Sequence, residues 1–557
     1  YEELITGIER DPAYVQKIKS GSSDIPEFVR ELAAVDEEIR KRFRPLHWSI
    51  AYPHVAVKGG FDVVLSNPPW DKVKTNHNEF FSDYIDGYAD MEASVAKKRA
   101  DVFMAEHPLV AKKWHEYVAN IESQNAFYQN AYQYQTWKDS KGKALKGDAN
   151  LFKVFMEKIF DILADNGSCG IVIPDNLNLD NGCTGLRHML LENTTIKELM
   201  MFENRKKLFD IHGQYKFDVL TFEKKKPRSN AAFTAGFYWY DPVWLESTPD
   251  EEYIAQNEKN KPAYHKSYRY SVPFLRKISP DLLTIFEFKN ERLIKVFNKL
   301  LQYPAIGDVK EKLYIDTFAE FHMTHDSDLF NKEGKGWALF QGKTIHHFTS
   351  SLNPVERFVL PELGEERLAK KWKCDVRDLP DRLYRLAWRN IAQPTDTRSL
   401  ICTVVPRGTF CGNSLNQALV MLNQEKATDI TLIAGLNAVF SSFCADMYIR
   451  QRIAKNVSAF ILKMLPVPRD LSIIKELGRL SLPLFAGMEF DALRGEVQEL
   501  TDVEARNKLI ARLDARVAIM YDLSYEEYQA VLDTFPLVDE KQKKRCLLAY
   551  NDWKFSM

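Results

Sequence analysis

Phe61-Asp62-Val63-Val64-Leu65-Ser66-Asn67-Pro68-Pro69-Trp70 is the stretch on which the reading of this chain turns. Gly59-Gly60 precede it, and Phe61 to Leu65 is a short β-branched run typical of a buried parallel strand. The run stops at two prolines, which fix the backbone and carry no amide donor. In doubly wound sheets ligands bind at the carboxyl ends of strands, so Asn67 to Trp70 stand at a candidate site. The carboxamide oxygen of Asn67 and the carbonyl of Pro68 offer acceptors for the two hydrogens of one planar amine. Held by both, an exocyclic nitrogen is drawn toward tetrahedral geometry and its lone pair is aimed at an electrophilic carbon. No strong base is required, because the proton leaves after the transfer. Trp70 supplies a ring face on which a base can stack, worth about 1–3 kcal/mol. The plain alternative is a rigid turn followed by a core tryptophan. The strand before the motif and the α/β units after it favour the chemical reading.

Outward from the motif, a polar and aromatic insertion runs through Tyr128, Tyr132, Tyr134 and Trp137. Periodicity returns at Asn150: Leu151, Phe152, Phe155, Ile159, Phe160 and Leu163 predict an amphipathic helix, ended by Asn166-Gly167. Cys169 to Pro174 reads as the next buried strand, Gly185 to Asn193 as a helix, and Ile196 to Phe202 and Phe217 to Phe222 as two further strands. Such alternation predicts a doubly wound α/β sheet. The basic stretch Lys224-Lys225-Lys226-Pro227-Arg228 closes it. Upstream, Tyr1 to about Arg44 is charged and helical in pattern. Beyond 230 the pattern is mixed, with β-like pieces at Trp337 to Phe340 and Leu400 to Val405, and from Asp470 it is helical and charged. Three units are expected: 1–230, 231–470 and 471–557.

Phe61 to Trp70 resembles motif IV of the amino-methyltransferases. Asn in the first position is similar to adenine-N6 rather than cytosine-N4 enzymes, which usually carry Ser. The wider resemblance is to the Eco57I-like family of restriction-modification methylases. Asp148-Ala149-Asn150-Leu151-Phe152 resembles that family's motif V region, and Gly167 to Pro174 its "GG…G-x-I-V-P" strand. Phe202-Glu203-Asn204-Arg205-Lys206-Lys207-Leu208-Phe209, followed by Phe217-Asp218-Val219-Leu220-Thr221, resembles its "FENRK…LF…KF…L" stretch. Further segments are similar to its target-recognition region: His322 to Ser327, Leu339 to Lys343, Arg389 to Ala392 through Thr397-Arg398, Gly412 to Asn416, a helix from Leu436 to Arg450, and Leu465 to Pro468.

The resemblance implies a partial class I methyltransferase sheet, then a mixed α+β target-recognition domain and a helical C-terminal region. It implies a site-specific adenine-N6 DNA methyltransferase of a restriction-modification or phage-defence system. S-adenosylmethionine would be its cofactor and a base flipped from double-stranded DNA its substrate. Asn67, Pro68, Pro69 and Trp70 would be catalytic, and Phe209 would match the motif VIII aromatic that sandwiches the base. Family members often carry a nuclease domain upstream; Asp218, Glu223 and Lys225 are too tightly spaced to form one here.

One part of the family pattern is missing. Between Tyr1 and Gly60 there is no glycine-rich loop and no identifiable acidic residue for a cofactor ribose, so no cofactor residues are assigned. The expectation is that further strands lie upstream of Tyr1 and that this chain alone binds cofactor weakly or not at all. The competing reading is a DNA-binding specificity module with an inactive or incomplete methylase half. A third, an RNA or protein methyltransferase, fits the large recognition-like region less well.

Composition bounds the rest. The chain of 557 residues is too long for one core. With 76 basic and 77 acidic side chains its net charge is −1, so nucleic-acid binding must rest on local patches. Arg205, Lys206 and Lys207 beside the presumed pocket, and Lys343, Arg389, Arg398 and Arg407 in the recognition region, are the candidate DNA contacts. Arg382 and Arg385 stand with them in the recognition region, and Arg450 and Arg452 near a helix end could contribute. The stretch from Arg377 to Arg407 uses arginine and no lysine, and arginine suits bidentate guanine readout. Seven cysteines without CxxC spacing fit a reducing cytoplasm, and no apolar run reaches the length of a membrane span. No His/Cys cluster has metal-ligand spacing; His346-His347, read as part of a strand, would diverge.

Overall fold

The computed structural model describes residues 41, 46 and 48–556, apart from 139–141, 143, 146–148, 247–266, 289, 454, 486–489, 491, 492 and 494. The helical pattern expected over residues 1 to 44 lies almost wholly outside the described residues.

The fold is α/β. Its first sheet has six strands, Phe61–Ser66 (β1), Leu163–Pro174 (β2), Thr195–Glu203 (β3), Lys216–Glu223 (β4), Ala232–Trp239 (β5) and Ser267–Ser271 (β6), in the order β1-β2-β4-β3-β5-β6. β1 and β2 are parallel, with Ser66 level with Ile171, and β4 runs antiparallel between β2 and β3. Gly60 makes the start of β1 possible. Its φ is +133°, and a Cβ there would stand 2.6 Å from the Ala164 nitrogen and the Ile162 carbonyl oxygen.

Within the insertion, the helices Ala93–Glu106 (α1) and Pro108–Ala131 (α2) join Phe81, Tyr88 and Trp114 in a separate aromatic core. Leu151–Ile162 (α3) then crosses back to β2, burying Phe152, Met156 and Ile159. Of the apolar positions expected there Phe155 is exposed, and the helix stops at Ile162, with Leu163 and Asn166-Gly167 already in β2. Glu157, on the same helix, is also buried. Its carboxylate accepts hydrogen bonds from the Tyr134 amide (3.0 Å), from Gln135 Nε2 (2.9 Å) and from the Gln133 amide, which ties the end of the insertion to the sheet layer. Thr184–Asn193 (α4) links β2 to β3.

The sheet does not end at Phe222, nor at residue 230. β5 and β6 extend it, and Phe233, Ala235 and Phe237 pack into its core. A second sheet joins Leu313–Phe318, Arg385–Arg389, Cys402–Val405 and Leu415–Leu422, and a smaller one contains Trp337–Phe340. The helix expected from Leu436 to Arg450 is two helices, Ile430–Phe440 (α5) and Phe443–Arg450 (α6), bent by 56°. Ser442 makes the break: its hydroxyl caps α6 by accepting the Ala445 amide at 3.1 Å. Four helices, Leu471–Ser481, Val503–Met520, Tyr525–Asp533 and Glu540–Ser556, follow. One buried cluster runs from Phe152 to Tyr550, so the three stretches of sequence share a core. Among the described residues no single helix is long and apolar enough to cross a membrane, and the bent pair α5–α6 is buried.

Candidate active site

β1 delivers Asn67 to the carboxyl edge of the sheet. Asn67 and Pro69 are exposed, Pro68 is buried and Trp70 is half-buried. Among the described residues no group hydrogen-bonds to the Asn67 amide, which leaves its oxygen available to a ligand. The loop itself is held firmly. Asn150 Nδ2 donates to the Trp70 carbonyl at 3.0 Å while Asn150 Oδ1 accepts the Phe152 amide at 3.2 Å, capping α3. On either side the Leu151 amide donates to the Asp71 carbonyl (3.0 Å) and the Val73 amide to the Ala149 carbonyl (2.8 Å). Asn150 is 6% exposed, so it is a buried clasp between the motif and the helix behind it.

The Trp70 indole N–H faces the Val172 carbonyl at 3.4 Å. Its ring meets Phe209 edge-on, centroids 5.2 Å apart at 63°, and lies nearly parallel to Tyr215 at 5.8 Å and 9°. Trp70 and Phe209, distant in sequence, are thus brought together. Phe209 is placed by the buried Asn204, whose Oδ1 accepts the Phe209 amide (3.1 Å) and whose Nδ2 donates to the carbonyls of Phe209 (2.9 Å) and Ile211 (3.1 Å). Sequence reasoning missed Tyr215 and gave Asn150 no role. An asparagine at the first turn of a predicted helix is a cap signal, but its second hydrogen bond spans 80 residues and is invisible locally.

A charged cluster stands beside the aromatic slot, also unassigned from sequence. Asp175 follows β2 directly; burial pushes its carboxyl up to about 6, with Lys216 opposing. Lys216 pairs with Glu287 at 2.7 Å and lies 3.8 Å from Asp175, and Tyr238 donates its hydroxyl to Glu287 at 2.7 Å. Asp218 is fully buried, faces Asn178 Nδ2 (3.2 and 3.0 Å), and is held well above the usual carboxylate range by burial. Asp62 is an exposed partner of Lys58 at 2.6 Å.

The candidate DNA contacts divide. Arg205, Lys206 and Lys207 are exposed around Phe209; Arg205 pairs with Glu203 and Lys206 with Asp241. Lys343 and Arg389 line one surface cleft. Arg407 is exposed and lies over the Tyr384 ring at 4.5 Å. Arg398 is not a surface cation. Its side chain is 12% exposed, pairs with Asp446 at 2.6 Å, donates to the Ser441 carbonyl at 2.7 Å and stacks on Phe443. Arg385, Arg450 and Arg452 are inward as well: Arg385 donates to the Thr409 carbonyl, Arg450 to the Asp396 carbonyl and Arg452 to the Ile278 carbonyl. Arg382 pairs with Glu365. His346 and His347 sit in a turn rather than a strand, rings 5.1 Å apart at 87°.

Residues 9–105 and 117–209 match the family model described as Eco57I restriction-modification methylase. No curated protein matches the chain. Solved structures similar to it include the type IIG restriction endonuclease BpuSI, at 12% identity and TM-score 0.30, covering 78% of this chain and 52% of that one. The type IIL restriction-modification enzyme MmeI in complex with DNA is similar at 9% identity and TM-score 0.31, covering 74% and 53%. The ATP-dependent type ISP enzyme LlaBIII bound to DNA is similar at 12% and 0.33, covering 80% and 30%. The chain thus spans about half the length of the first two. Over the strands and insertion that carry Asn67, Trp70 and Phe209, the chain is similar to the Eco57I restriction-modification methylases.

Proposed function

We propose that this chain is the base-binding and target-recognition part of a site-specific DNA methyltransferase. Its reaction is methylation of adenine N6 on a base flipped from double-stranded DNA, with S-adenosylmethionine as donor, in a restriction-modification or phage-defence setting. The observation that carries the reading is the amide of Asn67, unengaged among the described residues and exposed at the end of β1 on a loop whose next carbonyl but two is clasped by buried Asn150. A free acceptor on a rigid support is what orienting a weakly nucleophilic amine requires. Asn67 Oδ1 and the Pro68 carbonyl would accept the two N6 hydrogens, and Trp70 and Phe209 would hold the ring. Bound S-adenosylmethionine would supply the methyl group and leave as S-adenosylhomocysteine, with one N6 proton passing to solvent. Because Tyr215 lies against Trp70, it must give way for a base to stack on the face it covers.

The described residues fit the base better than the methyl donor. The outward side chains of edge strand β1 include Val63 and Leu65, 60% and 80% exposed, and neither can hydrogen-bond a nucleoside. No residue is therefore assigned to the donor. The same apolar edge supports the second reading, a DNA-specificity module whose methylase half is incomplete. The deciding test is methyl transfer to duplex DNA by the full-length protein, wild type beside Asn67→Ala, with the digested DNA analysed for N6-methyladenine. The expected result is N6-methyladenine from wild type and a loss of at least about a hundredfold in the variant, the scale of removing one such polar contact. If wild type binds DNA yet forms none, the specificity-module reading replaces this one.

A further inference from the structure

Away from Asn67, a surface cleft of about 400 Å³ is lined by Gln341, Gly342, Lys343, Arg389, Ile391 and Ser414. Its polar side chains are fixed from behind. The Gln341 side-chain oxygen accepts the Thr344 amide in a reciprocal cap, in which Thr344 Oγ1 accepts the Gln341 amide at 3.1 Å. Arg389 donates Nη2 to the Ile345 carbonyl at 2.5 Å, while its buried Nε has no partner among the described residues. Ser414 Oγ accepts the Gly342 amide at 3.0 Å.

What these contacts leave over is donors: the Gln341 amide N–H₂, the remaining guanidinium N–H groups and the Lys343 ammonium. Among the described residues no carboxylate lines the cleft. Glu356 reaches Lys343 from outside at 2.5 Å, but it is 61% exposed, and exposed pairs of this kind hold too weakly to bar exchange. Ile391, 70% exposed, gives the rim an apolar surface that a sugar or base can cover.

We propose that this cleft binds an acceptor-only group of duplex DNA. Two parts of DNA have that chemistry, a backbone phosphate and the O6/N7 edge of guanine in the major groove. The inference rests on the reading of the chain as DNA-binding, and it assigns a role to residues for which the methyl-transfer chemistry has no use.

The test is duplex binding by the full chain, across a range of salt, on duplexes that wild type selects from a randomised pool. Gln341→Glu keeps the oxygen that caps Thr344 and replaces the donor with an anionic acceptor; Lys343→Gln removes one charge. An unchanged melting temperature reports that the cap survives. Both variants are expected to bind more weakly, Gln341→Glu by about tenfold or more, as expected for a misplaced charge at a hydrogen-bonded contact. A phosphate ligand gives an equal loss on every duplex, with a salt slope shallower by about one for Lys343→Gln. A guanine ligand gives a loss on selected duplexes only, absent when one guanine is replaced by 7-deazaguanine. Variants that bind every duplex as wild type does overturn the cleft assignment and leave the DNA reading standing. A wild type that binds no duplex removes the DNA reading itself.

Discussion

The loop at residues 67–70 and the arginine-rich stretch from 377 to 407 both read, in sequence, as surfaces turned toward DNA. The structure leaves the first exposed and turns part of the second inward. Asn67 and Pro69 are exposed, and among the described residues nothing engages the Asn67 amide. In the second stretch, Arg385 is fully buried on backbone carbonyls and Gln417, and Arg398 is locked to Asp446. A motif whose backbone is constrained by two prolines and a strand end can be placed from sequence, because its geometry is local. A density of arginine cannot, because a guanidinium on a long side chain is satisfied as well by inward carbonyls as by phosphate.

The largest effect separating the two regions belongs to Arg398→Ala. It strands Asp446, itself buried, with the amides of Ser399 and Leu400 and a distant Arg450 at 3.9 Å. Breaking a buried pair from one side costs about 3–5 kcal/mol. Denaturant unfolding is expected to show that loss, and DNA affinity per folded molecule is expected to stay unchanged. A variant as stable as wild type that binds DNA poorly would return Arg398 to the interface and erase the contrast.

What was legible follows the same division. α3, β2, α4, β3 and β4 were readable because each buries a continuous or periodic apolar face. β1 was readable as a strand but is not the buried one its sequence suggests, since Val63 and Leu65 lie exposed at the sheet edge. β5 and β6 were not. Ala232–Trp239 is aromatic and alternating enough for a strand, but a basic run precedes it and nothing local says that it joins the first sheet beside β3. The 436–450 helix was read as continuous because Ser441 and Ser442 sit inside an apolar stretch, where a capping serine competes with helix continuation only through its own hydroxyl. At the site, Asn67, Trp70 and Phe209 could be named, whereas Tyr215, Asp175 and the second hydrogen bond of Asn150 depend on chain segments meeting in space.

A smaller effect sharpens the account of the 67–70 loop. Asn150→Asp keeps an oxygen to cap Phe152, since aspartate caps as well as asparagine, but it cannot donate to the Trp70 carbonyl and sets an anion against it. The methyl-transfer rate at saturating DNA is expected to fall about tenfold to a hundredfold, the scale of a slightly misplaced reacting group. The melting temperature and DNA affinity should hold. A fall in melting temperature that accounts for the lost rate would reduce Asn150 to a plain cap and leave the loop supported by its prolines and backbone bonds alone.

The smallest effect probes the inward-turned region through its acid chemistry. Asp514 accepts the Phe443 amide at 2.9 Å and the Tyr528 hydroxyl at 2.8 Å, on the same helix start that Arg398 covers. Burial pushes its carboxyl up to about 6, with Arg398 pulling the other way. Below about pH 4, near the ordinary aspartate value, the group is protonated folded or unfolded and contributes nothing. Between about 4 and 6 the unfolded chain releases the proton while the folded one keeps it, so stability falls as pH rises; above 6 the penalty is constant. Asp514→Asn retains an acceptor oxygen and removes the titration. The stability of wild type minus that of the variant should therefore decline from pH 4 to pH 6, by on the order of 1–2 kcal/mol, and level off above it. A flat difference would mean that Asp514 is ionised across that range, held by Arg398. In that case the arginine that looked like a DNA contact would be serving two buried carboxylates at once.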